Sequence, residues 1–470
     1  MTRPAPIGAG KRGLIPWVLD REYDMPRVGP ISALLPTVGA GQLVPLAPSG
    51  AARYVNLDTA ASAPALVSVR AAVDEALAWY SSVHRGAGYL SQVSTGAYED
   101  ARNGVRQFVG GRPDDVVVFT RNTTDSLNLL ADAVPGTGRV LVLDIEHHAN
   151  LLPWRRGAAV TLTAATSVAG TLRRIAEELR RQPYALLAVT GLSNVSGEAL
   201  PVAELANIAH RHGARVAVDG AQLVPHGGVS MAAQGIDYLA LSGHKLYAPF
   251  GAGALIGTRD WLDEAPPYLA GGGAVRRVGL DSVEWTVSPA RHEAGTPNTV
   301  GAVALAAACR ALAKLGFDRL ADHERTLTAR LTAGLATISG IRVARIWPDS
   351  PEPRGIVTFA LAGLDPAVVA AALSAEHGIG VRDGRFCAHP LLERLGFPAG
   401  AVRASIGVHT SSDDIDRLLH GLRAIAANGP ALAYRLDESG SVVPVDDPRR
   451  LPPHLGSALL GVSVPAPCLT

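Results

Sequence analysis

Lysine is scarce in this chain: Lys11, Lys245 and Lys314 are lysines among 43 basic residues, and all the others are arginine. Where only positive charge is needed the sequence uses arginine, so each lysine asks for its own reason. Lysine, unlike arginine, can shed its proton and attack a carbonyl. Lys11 lies in a Pro/Gly-rich stretch, and Lys314 near the end of an apolar-faced helix, where a cation suits the helix dipole. Lys245 has no such explanation and becomes the candidate amine. Cysteine is equally rare, with Cys309, Cys387 and Cys468 too few for a disulfide framework and without metal-ligand spacing. No metal site is expected. A net charge of +1, with the basic residues scattered, leaves no electrostatic footprint for nucleic acid. Long apolar runs are missing too: stretches such as Val300 to Ala308 break well before a membrane-spanning length, and the start shows no charged-then-apolar signal pattern. The expectation is a cytoplasmic protein with neither a membrane nor a nucleic-acid partner.

What is present suits a globular enzyme. Hydrophobic residues make up 47% and charged residues 18%, which excludes a mainly disordered chain. With 470 residues the chain should form more than one packing unit. Residues 1–50 are rich in Pro, Gly and Ala and read as an N-terminal extension with at most a short helix near Trp17 to Arg21. Residues 51–315 read as a large domain. Residues 316–430, with part of the N-terminal segment, read as a smaller α+β domain, and 431–470 as a Pro/Gly-rich surface tail.

Alternation defines the large unit. Apolar strand candidates are Asp115 to Thr120, Arg139 to Leu143, Ala158 to Thr163, Tyr184 to Thr190, Arg215 to Asp219 and Tyr238 to Leu241. Between them lie helix candidates at Thr123 to Ala133, Thr171 to Arg181 and Val202 to His212. Earlier helices are expected from Ser62 or Pro64 to Tyr80 and around Tyr98 to Val109. Short, wholly apolar strands alternating with amphipathic helices predict an α/β fold with a mostly parallel sheet covered on both faces. Ligands in such sheets gather at the carboxyl ends of the strands, so the polar residues just past each strand carry the chemistry.

Five strand ends, one further strand and one loop supply candidates. Lys245 comes after Tyr238 to Leu241 within Ser242-Gly-His-Lys. Asp219 closes the strand before it. Such an aspartate alone could bind magnesium, hold a ribose, pair with a protonated ring nitrogen, or merely cap a helix. Together with a lysine at the next strand end, it matches pyridoxal phosphate, which needs a Schiff-base lysine and an acid opposite its pyridine nitrogen. Thr123 and Thr124 begin a helix straight after a strand and can cradle a phosphate or serve as ordinary N-caps. Ser242 and His244 can add donors. A histidine in Glu146-His-His-Ala-Asn150 can stack on a planar ring and carry protons. Asn194 and Gln222 can donate to a ring oxygen or act as turn residues. Arg403 can clamp a carboxylate with two hydrogen bonds, or lie on the surface. Cys387 sits among Arg382, Arg385 and His389, cations that favour a thiolate, though a buried inert thiol is the ordinary alternative.

These residues resemble the class V aminotransferase group of pyridoxal-phosphate enzymes, fold type I, and look most like group II cysteine desulfurases and selenocysteine lyases. The carrying motifs are Asp58-Thr-Ala-Ala-Ser62, Val83-His-Arg-Gly86, Glu146-His-His-Ala-Asn-Leu-Leu-Pro-Trp154, Ser193-Asn-Val-Ser-Gly197, Val218-Asp-Gly-Ala-Gln222, Ser242-Gly-His-Lys-Leu-Tyr247 and Glu293-Ala-Gly-Thr-Pro-Asn298. The resemblance implies that Lys245 carries pyridoxal phosphate, Asp219 pairs with the ring nitrogen, His147 stacks on the ring, and Asn194 and Gln222 meet its oxygen. It implies a phosphate site of Thr124, Ser242 and His244, completed across a homodimer by Thr296 of the other copy. Arg403 and Arg382 would bind the substrate, and Cys387 would take sulfur from L-cysteine, to pass it to an acceptor protein. Where the group II pattern has two histidines before the cysteine, this chain has Arg385-Phe386, and a Phe-Cys pair is similar to molybdenum-cofactor sulfurases. An aminotransferase, racemase or C–S lyase with Cys387 a bystander is therefore the alternative, and a fold kept without turnover a more distant one.

Overall fold

The structure is a computed structural model that describes residues 29–450 except 85 and 137, together with 452. Lys11, Cys468 and the expected helix at Trp17 to Arg21 lie outside the described residues. Seven strands build the central sheet: β1 (Val116–Thr120), β2 (Arg139–Leu143), β3 (Ala158–Leu162), β4 (Leu186–Thr190), β5 (Arg215–Asp219), β6 (Tyr238–Ser242) and β7 (Gly253–Gly257). Their order is β1-β7-β6-β5-β4-β2-β3. β7 alone runs against its neighbours, β1 and β6, while the other pairs are parallel.

Alternate residues of each strand feed two separate cores. Val117, Leu141, Val189, Val218, Leu239 and Ile256 join one, packed under α1 (Val67–Ala78), the end of α2 (Tyr89–Phe108), α4 (Val168–Arg181), α5 (Val202–Arg211) and α6 (Thr299–Leu315). Val118, Val140, Ala188, Ala217, Ala240 and Leu255 join the other, under α3 (Thr123–Ala133) and Trp154. The period of two in a strand makes this division, and burial on both faces explains why the strands hold no polar alternation.

After Gly316 the chain makes α7 (Phe317–Ala336) and a four-stranded antiparallel sheet of β8 (Ile341–Val343), β9 (Ile356–Leu361), β10 (Arg382–Gly384) and β11 (Ala401–Ser405), ordered β8-β9-β11-β10. α8 (Pro366–His377) and α9 (Ser412–Asn428) pack on it, and Leu331, Phe359, Leu373, Val402 and Leu418 share one core with Val55 and Leu57. Asp365 caps α8 by accepting from Ala367 N at 2.8 Å, and Ser411 with Asp414 forms a capping box on α9.

Three local readings are corrected. The first helix begins at Val67, because Ala63 N and Leu66 N donate to the carbonyls of His244 and Tyr247, which commits that stretch to the lysine turn. The second begins at Tyr89, well before Tyr98: the Ser- and Thr-rich turns that look unhelical use buried Ser91 and Ser94 for close packing. Residues 431–450, part of the stretch expected as a surface tail, hold a hairpin of β12 (Tyr434–Leu436) and β13 (Val442–Pro444) docked on α8. Among the described residues no single helix is long and apolar enough to cross a membrane.

Candidate active site

Strands β1, β2, β4, β5 and β6 end on the same edge of the sheet, and the residues just past those ends assemble the site. β6 gives way to a single 3-10 turn, Gly243–Lys245, which puts Lys245 at the edge. Gly243 is required there, since a Cβ would come within 2.7 Å of Ala252 O and 3.0 Å of Ala248 O. Ser242 Oγ accepts from Thr123 N at 2.8 Å and lies 2.8 Å from Thr123 Oγ1, tying the lysine turn to the first turn of α3. Asn122 caps that helix by accepting from Asp125 N at 3.0 Å. The positive end of the α3 dipole thus borders the site.

A cavity of about 740 Å³ opens at this edge. Thr123, Thr124, His147, Asn194, Asp219, Gln222, Ser242, His244 and Lys245 line it from the large sheet, and Arg382, Cys387 and Arg403 from the small one. Thr296 is exposed and is not among the lining residues. Cys309 is buried in α6, and burial pushes its thiol up to about 12. Among the described residues no group of three or more His, Cys, Asp or Glu could hold a metal ion.

Burial sets the protonation states. It lowers Lys245 from 10.5 to about 8, with Asp219 and Cys387 pulling upward and Arg403 downward. The ammonium form therefore loses its proton far more readily than that of a solvated lysine. His147 is lowered to about 3 by burial, then by the neighbouring positive charge of Lys245. Its Nδ1 accepts from Ala149 N at 3.0 Å, so the neutral ring carries its proton on Nε2. His244 is lowered to about 4 for the same two reasons. Asp219, 4% exposed, is raised by burial, against which the hydrogen bond from Ala221 N at 2.9 Å and the charge of Lys245 both act.

The second half of the site is a chain of contacts through Arg403. Its Nη1 donates to Asn194 O at 2.9 Å, its Nη2 lies 3.4 Å from Asp58 Oδ1, and its guanidinium carbon sits 5.1 Å from the centroid of Phe386. Burial lowers Arg403 to about 10, which still leaves it charged at neutral pH. Asp58 Oδ2 also pairs with Arg382 at 3.0 Å. Asn194 Nδ2 donates to Phe386 O at 2.8 Å, and His148 N donates to Cys387 O at 2.9 Å. These bonds pin the cysteine loop, where Phe386 and Cys387 take left-handed φ values of 50° and 52°. Gln222 Nε2 donates to Ala60 O at 2.7 Å, while its Oε1, like Arg403 Nε, is buried without a partner among the described residues.

Three features of the site escape the sequence reading. Asp58 closes the run Tyr54 to Asp58 as Asp219 closes β5, so the same strand-end rule could have marked it as a polar anchor. His148 acts through its backbone, which leaves no side-chain signal. Gly440, Ser441 and Val442 of the C-terminal hairpin also line the cavity. Their signal is an Asp-Glu-Ser-Gly turn between short apolar runs.

Known proteins share both the sequence and the architecture. The family model described as aminotransferase class-V matches residues 55–418. A probable cysteine desulfurase of Mycolicibacterium paratuberculosis is 38% identical over 360 residues, 74% of this chain and 52% of that protein. The chain thus spans about half the length of that relative. A cysteine desulfurase of Escherichia coli is 36% identical over 74% of this chain and 86% of its own length. Among solved structures, a cysteine desulfurase from Thermococcus onnurineus superimposes with a TM-score of 0.74 at 34% identity, covering 80% of this chain and 95% of that one.

Proposed function

Because the chain belongs to the class-V aminotransferase family, with the mixed α/β architecture of fold type I enzymes, we propose that it is a pyridoxal-phosphate-dependent cysteine desulfurase that takes sulfur from L-cysteine onto Cys387 and releases L-alanine. The observation that carries this reading is that Cys387 and Lys245, contributed by the two different sheets, line one cavity.

The residues present suit the cofactor. Asp219 offers a buried carboxylate for a ring nitrogen, and buried Gln222 Oε1 has no partner among the described residues. Thr123, Thr124, Ser242 and His244 would hold the phosphate at the start of α3, His147 would lie on the ring, and Asn194 and Gln222 would meet the ring oxygen. Lys245 would hold the cofactor covalently. When bound, pyridoxal phosphate supplies an electron sink for the pair left behind when the substrate α-proton departs.

The chain's own groups do the rest. Lys245 Nζ, with its pKa near 8, takes the α-proton and later returns a proton to carbon. His147, neutral with Nε2–H outward, donates without adding positive charge beside the lysine. Arg403 and Arg382 hold the substrate carboxylate in place of Asp58. Cys387 Sγ attacks the substrate sulfur: an S–S bond forms, the substrate Cβ–S bond breaks with its electron pair going to carbon, and protonation there completes alanine. A sulfur-acceptor protein or thiol then reduces the persulfide.

Exposed Leu269, Val278, Leu280 and Val283 precede the Thr296 loop. They support a homodimer in which Thr296 of each copy reaches the other's phosphate site. The test is incubation of holoenzyme with L-cysteine, with alanine quantified and Cys387 weighed by peptide mass spectrometry. Alanine together with an added sulfur on Cys387 is expected. Keto-acid-dependent amino transfer without alanine, or unchanged desulfuration in Cys387→Ala, would overturn the reading in favour of an aminotransferase or lyase.

A further inference from the structure

The segment past Pro430 lies beyond the stretch that the family model matches, which ends at residue 418, yet it borders the cavity. It is fixed there rather than draped. Glu376, in the last turn of α8, accepts from Ala431 N at 3.0 Å, Leu432 N at 3.1 Å and Tyr434 Oη at 2.8 Å. Tyr434 packs on the core of the smaller sheet, and Pro444 is buried. The tip is braced as well: Asp437 Oδ1 accepts from Ser439 N and Ser441 N, both at 2.9 Å, and Gly440 turns the chain at φ 81°.

The tip stands opposite a helix face without bulk. Ala367, Ala370, Ala371 and Ser374 run along one face of α8 at helical spacing and form the cavity wall beneath Gly440 to Val442. Small residues on the helix leave room, and the hairpin closes one side of that room. The loop from Val381 to Cys387 belongs to the same lining. The hairpin tip therefore narrows the space that the cysteine shares.

We infer that residues 431–445 are a specificity element, a fixed wall that admits thiols of amino-acid size to Cys387 and bars a folded protein surface. The inference rests on Cys387 being the sulfur carrier, and it makes the sulfur acceptor a small-molecule thiol. The persulfide's outer sulfur is then removed by attack of that thiol, which leaves as a hydropersulfide while Cys387 regains its thiol proton.

Alkylation of Cys387 tests this without turnover. Purified protein is treated with iodoacetamide or with a maleimide on a long polyethylene glycol, and the Cys387 peptide is monitored by mass spectrometry. Two variants are compared with the parent: one in which the tip Asp437 to Ser441 is replaced by Asn-Gly, keeping the Glu376 anchor, and Ser441→Trp. Removing the tip should speed the bulky reagent about tenfold while changing iodoacetamide by less than about twofold, because access no longer waits on local opening. Ser441→Trp should slow both. An unchanged ratio of bulky to small reagent rates across all three proteins would overturn the inference. Parent enzyme that forms no alanine from L-cysteine would instead sink the desulfurase reading, leaving the access result to stand by itself.

Discussion

The side-chain amide of Asn194 donates a hydrogen bond of 2.8 Å to the backbone carbonyl of Phe386, the residue before Cys387. A residue past β4 in the large sheet thereby sets the position of the cysteine loop in the small one. Leaving a buried carbonyl unpaired costs about 1–3 kcal/mol. Asn194→Ala should therefore lower kcat for cysteine by roughly tenfold or more through loss of loop order. Faster hydrogen exchange at the Phe386 and Cys387 amides of the variant checks the cause, and unchanged exchange there would contradict it.

Asp58 is the hinge of charge between two arginines of different exposure. The Arg403 side chain is 4% exposed and that of Arg382 49% exposed. An exposed pair contributes about 0–1 kcal/mol, whereas unpairing a buried charge costs more, about 3–5 kcal/mol when burial is complete. Asp58→Asn should consequently destabilise the cofactor-free protein more than Arg382→Ala does, as read from urea midpoints. Equal losses would mean that Arg403 does not depend on Asp58.

The left-handed backbone at Cys387 makes glycine unusually acceptable there. A side chain at such φ costs about 1–2 kcal/mol, which glycine avoids. Cys387→Gly should be at least as stable as Cys387→Ala in chemical denaturation. A clear advantage for alanine would show that the position carries no strain.

Lys245 offers a direct titration. With so few lysines in the chain, reductive ¹³C-methylation of the cofactor-free protein gives a sparse spectrum. A signal lost in Lys245→Ala should titrate near 8 instead of near the ordinary 10.5. A midpoint above about 10 for that signal would remove the driving force assigned to burial.

His147 gives the sign of an acid effect. Its folded pKa, about 3, lies below the ordinary 6.5, so the stability it contributes is complete above 6.5 and is lost as pH falls toward 3. The urea midpoint of the cofactor-free protein should drop between about pH 7 and about pH 5, and His147→Gln should drop less over the same interval. Parallel curves for the two proteins would refute the burial of the neutral ring.

Local signals sufficed wherever chemistry keeps to chain order. The strands Arg139–Leu143 and Arg215–Asp219 are legible because apolar runs of that length, ended by polar residues, can only pair within a covered sheet, and Lys245 stands out because a chain rich in arginine keeps so few lysines. Strand direction then put Asp219, Asn194 and Lys245 on the same edge before any contact was known. Only the folded chain decided what meets them there. The bridge from Asp58 to Arg382 and Arg403, the bond from Asn194 to Phe386, and the hairpin at Gly440 to Val442 all join residues far apart in sequence. Such contacts depend on how two sheets pack against one another, and no periodicity within either segment encodes that packing.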